Sequence, residues 1–315
     1  MQALADGLAP GAGRLVVVGD TKSPAEFRLA GARFFSIEEQ RDSRFAFARL
    51  CPTRHYARKN LGYLLALQDG ASLIQETDDD NMPVSGFFDP VERHVSVPVL
   101  RNVGWTNIYR YFSDAAIWPR GLPLDEIHAE LPAFDSLPTQ KVDCPIQQGL
   151  ADGNPDVDAV FRLVSPMDVR FLPGRRLALG RDAWCPFNSQ NTIWFADAFP
   201  LLYLPAYCSF RMTDIWRSFV AQRIAWENDW AVLFHHATVW QGRNPHDLMR
   251  DFVDEIPGYV NNRRIATALS ELRLTPGQGA LAGNLLQCYG ALVGLGIVGE
   301  QELPLLRSWL SDIGL

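Results

Sequence analysis

The stretch Leu73-Ile74-Gln75-Glu76-Thr77-Asp78-Asp79-Asp80-Asn81 decides how this chain is read. A short apolar run ends in three consecutive aspartates. Like charges this close repel one another and do not pack into a core. At the end of a buried strand they become tolerable when a cation sits among them. In an extended segment alternate side chains share a face, so Asp78 and Asp80 are expected to point into one site while Asp79 points away. Oxygen-only ligands suit Mg²⁺ or Mn²⁺, the ions that hold diphosphates. One carboxylate, two diphosphate oxygens and waters make a near-octahedral shell, in which the ion is a Lewis acid toward the departing diphosphate. The competing reading is a solvated acidic turn with Asn81 as its cap.

Working outward, 56–68 reads as a helix with Leu61, Leu64, Leu65 and Leu67 on its apolar side, feeding the strand through Asp69-Gly70. Upstream, Leu15-Val16-Val17-Val18 runs straight into Gly19-Asp20-Thr21, the way a first parallel strand delivers a ligand-binding loop. A second strand is expected over 32–36 and a helix over 41–50. From 82 to about 158, prolines and aromatics without charge runs predict an ordered, loop-rich region with short strands. A helix over 212–226 and a strand over 231–234 follow. Beyond, 247–315 looks all-helical, with breaks at Pro257-Gly258, Pro276-Gly277 and Pro304. The expected organisation is a flexible tail over 1–13, a ligand-binding α/β domain over 14–250 and a helical C-terminal region over 251–315.

With 315 residues the chain can bury a sizeable core, and a net charge of −7 leaves no basic stripe for a nucleic-acid backbone. Five scattered cysteines without CxxC spacing argue against a disulfide framework or a zinc site and for a reducing compartment. The first 13 residues carry no basic n-region, so they do not read as a signal peptide. Residues 280–299 hold no charge, but Asn284, Gln287 and several glycines lower their apolarity; a buried helix is expected there and no membrane span. A cytoplasmic protein is the resulting expectation.

Other candidate residues cluster around this frame. Asp214 in Met212-Thr213-Asp214-Ile215-Trp216-Arg217 falls at a helix start, where free N–H groups keep a carboxylate ionised. It is either a plain cap or a general base that deprotonates an acceptor hydroxyl. Arg58 and Lys59 sit where a helix can aim cations at a diphosphate. Arg120, in Trp118-Pro119-Arg120-Gly121, can do so from a rigid loop. His246 can complete a metal shell or cap a turn. Trp105, Tyr109 and Trp184, with Asn188 nearby, mark an acceptor region if sugar rings stack on them, or else core. No GxSxG elbow or P-loop is present, which leaves a serine hydrolase or P-loop enzyme without support.

Taken in order, these motifs carry a resemblance: Gly19-Asp20-Thr21-Lys22, Tyr56-Ala57-Arg58-Lys59-Asn60-Leu61-Gly62-Tyr63, Glu76-Thr77-Asp78-Asp79-Asp80-Asn81, Ile117-Trp118-Pro119-Arg120-Gly121, Pro186-Phe187-Asn188-Ser189-Gln190, Asp214-Ile215-Trp216-Arg217 and Arg243-Asn244-Pro245-His246-Asp247. From about residue 14 to 262 the chain resembles the STELLO-type glycosyltransferases, a GT-A-fold group. The last fifty residues show no matching motif. The resemblance implies a GT-A-like α/β fold, a Rossmann-like mixed, mostly parallel sheet flanked by helices, with a helical C-terminal appendage. It implies a nucleoside-diphosphate sugar donor, UDP-linked, transferred with inversion to a hydroxyl of a glycan, small molecule or protein. Asp78 would then lie near the ribose and Asp80 on Mn²⁺ or Mg²⁺, with His246 as a further ligand. Gly19, Asp20, Thr21 and Lys22 would line the nucleobase pocket, and Asp214 with Arg217 would be catalytic. Plant members carry a membrane anchor and an additional domain, neither of which is read here. A weaker similarity extends to the reversibly glycosylated UDP-arabinopyranose mutases, which implies Arg120 as a sugar-accepting arginine. A non-catalytic nucleotide-sugar-binding protein is the third reading.

Overall fold

β-Branched residues favour a pleated strand, and the computed structural model, which describes the chain apart from residues 9, 10, 12, 25, 166, 167 and 243–246, begins its α/β core with one. After a short helix α1 (Gln2–Gly7), β1 (Leu15–Val18) pairs in parallel with β2 (Ala32–Phe35), Leu15 opposite Ala32 and Val18 opposite Phe35. Residues 2–7 therefore depart from the expected flexible tail. They are helix-forming, and Leu4 is buried beside Phe87, Ala151 and Val239. Ser36 and Glu39 form a reciprocal capping box on α2 (Ile37–Asp42), and α3 (Ala46–Leu50) follows. A 3₁₀ turn at Tyr56–Arg58 runs into α4 (Lys59–Gln68). This helix lies on β1 at a glycine: a Cβ on Gly62 would stand 2.6 Å from Val18 Cγ2, so a larger residue would force the two apart.

α4 delivers β3 (Leu73–Thr77), whose acidic end turns into β4 (Asn81–Pro83). Then come β5 (His94–Leu100), β6 (Gly104–Trp105), β7 (Thr139–Gly153), α5 (Ala159–Val164), β8 (Arg176–Leu179), β9 (Ala183–Trp184), β10 (Asn191–Phe195), α6 (Thr213–Glu227) and β11 (Trp230–Gln241). Seven strands form one sheet in the order β3-β10-β7-β5-β8-β11-β4, with β7 also paired to β11. The longest pairing, β7 with β11, is parallel, as is β5 with β8. β3–β10, β10–β7, β5–β7, β8–β11 and β4–β11 are antiparallel. The mixed α/β, GT-A-like architecture is thus present, with parallel pairing along its longest strands. Antiparallel neighbours enter because the loop-rich stretch between β4 and α6 carries few crossover helices to return the chain in parallel.

The C-terminal helices α7 (Leu248–Glu271), α8 (Leu281–Gly294) and α9 (Glu302–Asp312) share the main core. Ile265, Leu269, Leu285 and Trp309 are buried in one cluster with Phe47, Tyr203 and Trp216. Asp312 accepts the free N–H groups of Ala46 and Phe47 at the start of α3, at 3.0 and 2.8 Å. The break expected at Pro257-Gly258 is absent; α7 runs through it. Gly258 packs on Met212, so tertiary contacts offset the hydrogen bond that proline cannot make. Among the described residues no helix is long and apolar enough to cross a membrane.

Candidate active site

Four elements converge on one cleft of about 1160 Å³: the end of β3, the 3₁₀ turn before α4, the loop after β7 and the start of α6. Asp78, Asp79 and Asp80 all border it. The expected alternation fails because the strand ends at Thr77, and Asn81 N–H donates to the Asp78 carbonyl at 3.3 Å, turning the chain. Asp78 Oδ1 accepts from Tyr56 Oη at 3.0 Å and from Lys59 Nζ at 3.3 Å. Tyr56 Oη also bonds Ser189 Oγ, and Lys59 Nζ donates to the Ser189 carbonyl at 2.8 Å. Burial pushes the Asp78 carboxyl above its ordinary range. Lys59 and the Tyr56 hydroxyl pull it back, and the nearby Asp214 and Asp80 push it up again. Asp80 Oδ1 accepts from Gln241 Nε2 at 2.8 Å, and Gln241 Oε1 accepts from Asn154 Nδ2 at 3.1 Å.

Asp214 lies in the first turn of α6 and is buried, yet it faces the same cleft. Its Oδ1 accepts from Arg120 Nη1 at 3.0 Å and from Ile215 N–H at 3.0 Å. Its Oδ2 accepts from Arg120 Nη2 at 2.9 Å and from Ser189 N–H at 3.4 Å. Burial alone would raise this carboxyl; the Arg120 guanidinium outweighs burial and holds it below the ordinary carboxylate range. Arg120 in turn grips Asp156, Nε to Oδ1 at 2.7 Å and Nη2 to Oδ2 at 2.9 Å, and its Nη1 also donates to the Arg211 carbonyl. All five of its N–H donors are therefore engaged.

That arrangement revises the expectation for Arg120. A guanidinium with every donor bound offers nothing to a diphosphate. Burial would favour its loss of a proton, but Asp156 and Asp214 hold its pKa well above the ordinary value. An arginine acting as sugar acceptor needs a neutral nitrogen, so nothing here supports the mutase reading. Arg58 is likewise committed: Nε and Nη2 donate to Gln40 Oε1 and Nη1 to the Cys51 carbonyl.

Arg217, one turn after Asp214, does not border the cleft. It forms a buried two-point pair with Glu76, at 3.0 and 2.8 Å, and stacks over Trp194. Glu76 also accepts from Trp194 Nε1 at 2.8 Å and from Tyr63 Oη. This glutamate, two residues before the acidic turn, ties β3 to α4, β10 and α6, so it sets where Asp78 stands relative to Asp214. Sequence reasoning passed over it, although it shares the inward face of β3 with Ile74, where a lone charge implies a buried partner.

Gly19 and Asp20 border the cleft; Thr21 and Lys22 are exposed and do not. Asp20 accepts from Thr21 N–H at 2.6 Å and His55 N–H at 3.1 Å. Burial raises its carboxyl, but backbone N–H groups, Arg54's first among them, bring it below the ordinary range. Asn188 lines the cleft, its Oδ1 accepting from Gln148 Nε2 at 3.1 Å and Gln190 N–H at 3.0 Å. Trp105, Trp184 and Tyr109 are core: the tryptophans pack edge-on against Phe219, Tyr109 lies against Phe171, and none borders the cleft. Large aromatic area is most stabilising when buried, which explains why a stretch rich in such rings is core.

Among the described residues no three His, Cys, Asp or Glu side chains gather into a ready metal cage. His246 lies outside the described residues. The donor set fits an ion of the Mg²⁺ type, which takes one or two carboxylates and draws its remaining oxygens from substrate phosphates and water.

The fold and this cleft, an acidic strand end facing a helix-borne aspartate, define a GT-A-like protein. A family model described as STELLO glycosyltransferases matches residues 211–315, which include Asp214 and the C-terminal helices where the sequence showed no motif. "Probable glycosyltransferase STELLO1" and "Probable glycosyltransferase STELLO2", both of Arabidopsis thaliana, are each 28% identical to the chain, over 325 and 327 aligned residues. Each alignment covers 95% of this chain and 41% of the relative, so the chain spans about two fifths of their length. The chain is therefore similar to the STELLO glycosyltransferases, by the family model over 211–315 and by the two relatives along most of its length.

Proposed function

We propose that the chain is a divalent-metal-dependent glycosyltransferase that takes its sugar from a nucleoside diphosphate, UDP-linked, and passes it to a hydroxyl acceptor with inversion. One observation carries the reading: a carboxyl short of positive charge, Asp78, and a carboxylate held ionised, Asp214, face the same cleft. The first is where a cation and a diphosphate would be welcome. The second is where a proton would be taken. The relatives, both named as probable glycosyltransferases, support the same class.

In this mechanism Asp20, at the end of β1, accepts from the nucleobase through the lone pairs its backbone donors leave. Asp80 and Asp78 would hold Mn²⁺ or Mg²⁺ together with the donor's phosphates, and the ion would neutralise charge on the leaving diphosphate. Lys59 places a further positive charge beside Asp78. The acceptor oxygen forms a bond to the anomeric carbon as the bond from that carbon to the diphosphate oxygen breaks. The hydroxyl proton passes to Asp214, and attack opposite the leaving group inverts the centre.

Thermal-shift titration with UDP, GDP and CDP sugars, with and without Mn²⁺, tests the donor assignment. Binding to the native state raises Tm by mass action, about 2.7 kcal/mol of stabilisation at a hundredfold excess over Kd. The expected result is a shift with a UDP-sugar that requires the metal. If no nucleotide sugar moves Tm under either condition, the proposal ends.

A further inference from the structure

Asp156 belongs to none of the motifs read from the sequence, yet it occupies half of the Arg120 guanidinium. Two carboxylates thus share one cation at the cleft wall. Asp156 takes the Nε edge at 2.7 Å and one Nη2 proton at 2.9 Å, while Asp214 takes Nη1 and the other Nη2 proton. The plane of a guanidinium is rigid, so fixing one edge fixes the other. Backbone bonds lock the loop that carries Asp156: Arg120 N–H donates to the Asp156 carbonyl at 3.0 Å, and Tyr109 Oη donates to it at 3.3 Å. The same loop reaches the acidic turn through Asn154, Gln241 and Asp80.

We infer that Asp156 is a positioning residue for proton transfer: it anchors Arg120 so that both oxygens of Asp214 are oriented, and it shares the guanidinium charge so that Asp214 keeps enough basicity to accept a proton. This rests on the reading of Asp214 as the base. A guanidinium facing Asp214 alone would concentrate its field there, making that carboxylate a weaker base and leaving its orientation to one edge. The proton itself goes from the acceptor hydroxyl to Asp214; Asp156 touches neither substrate nor the reacting atoms.

Two measurements on the whole chain test this. In the first, pH profiles of kcat are compared for the native protein, Asp156→Asn and Asp156→Glu. Asp156→Asn is expected to lower kcat roughly 10- to 100-fold, the scale of a misplaced catalytic group, with donor KM within about twofold. Its acid limb should move to lower pH, and Asp156→Glu should recover part of the rate. A loss of rate with the acid limb unmoved, or no loss, overturns the inference and leaves Asp156 a structural residue. The second measurement needs no turnover. By ¹⁵N NMR the Arg120 Nε–H should exchange slowly in the native protein and at least tenfold faster in Asp156→Asn. Equal exchange in the two overturns the anchoring role, whatever becomes of the glycosyltransferase reading; a protein whose Arg120 behaves as expected but which turns over no donor would instead sink that reading.

Discussion

Asp78 and Asp214 border the same cleft and have opposite surroundings. Asp78 closes β3 with Lys59 as its cationic neighbour, and burial together with Asp214 and Asp80 pushes its carboxyl up. Asp214 opens α6 with Arg120 bound to both its oxygens, and its carboxyl is held down. In the proposed mechanism the difference separates two jobs that composition cannot distinguish. A carboxyl with too little positive charge around it is completed by a ligand that brings a cation. One whose charge is already met by the protein needs nothing added and is ready to act as it stands. Glu76 with Arg217 holds the two elements in place from below, at 3.0 and 2.8 Å.

The hardest blow to this comparison is Asp214→Asn. Removing a general base costs about 10²- to 10⁴-fold in rate, so kcat should fall by that order while the metal-dependent shift in Tm on adding donor survives. Turnover within tenfold of the native protein would remove Asp214 from the chemistry. Next in size is the cation. Chelation with EDTA should abolish the donor-induced Tm shift, and Mn²⁺ should restore it. Donor binding that persists in EDTA would mean that Lys59 alone meets the diphosphate and that Asp78 has another purpose. A pH series sharpens the point. Because the Asp78 carboxyl is raised, it takes up a proton at a higher pH than Asp214 does. Mn²⁺ affinity should therefore weaken as pH falls through the Asp78 titration, while Asp214 is still a carboxylate. Isothermal titration between pH 4 and pH 8 reads that order directly.

Arg120→Gln acts on the other side of the contrast and is expected to be milder in its kinetic signature. With the guanidinium gone, burial dominates at Asp214 and its pKa rises, so the acid limb of the kcat profile should move to higher pH. A limb that stays in place would show that Arg120 does not govern that proton.

Much of this contrast was legible in the chain. Three aspartates after an apolar run marked the strand end, and a Thr-Asp pair before an apolar helix marked Asp214. Arg120, Arg58 and Arg217 were visible as residues, but their roles were not. Whether an arginine faces ligand or partner depends on residues far apart in sequence: Asp156 lies 36 positions from Arg120, and Glu76 lies 141 from Arg217. Trp105 and Trp184 illustrate the same limit. An aromatic that stacks on sugar and one that fills a core look alike until the neighbours are known, and here Phe219 covers both. Proline misled at position 257, where a local penalty was outweighed by the packing of a long helix.

The smallest effect is also the most discriminating, because the two aspartates should respond with opposite signs. In metal-free protein the Asp78 carboxyl has its pKa raised, by burial first. Native Asp78 binds a proton more readily than unfolded Asp78, so its contribution to stability is best at low pH and declines as pH rises through the raised value. Asp78→Asn removes that cost, and the amide oxygen can still accept from Tyr56 and Lys59. Tm should hold or rise slightly, by less than about 1 kcal/mol of stability since the side chain is nearly one-third exposed. Asp214 is the reverse case. Its folded pKa is depressed, so its carboxylate stabilises the native state above the ordinary carboxylate pKa, and that contribution is lost as pH falls through the depressed value. Asp214→Asn should lower Tm at neutral pH, with part of the loss offset because Asp156 still faces Arg120. Differential scanning calorimetry of both variants in EDTA decides the matter. Two decreases of equal size would mean that the protein itself satisfies both carboxylates alike, and that the acidic turn has no electrostatic need for a metal.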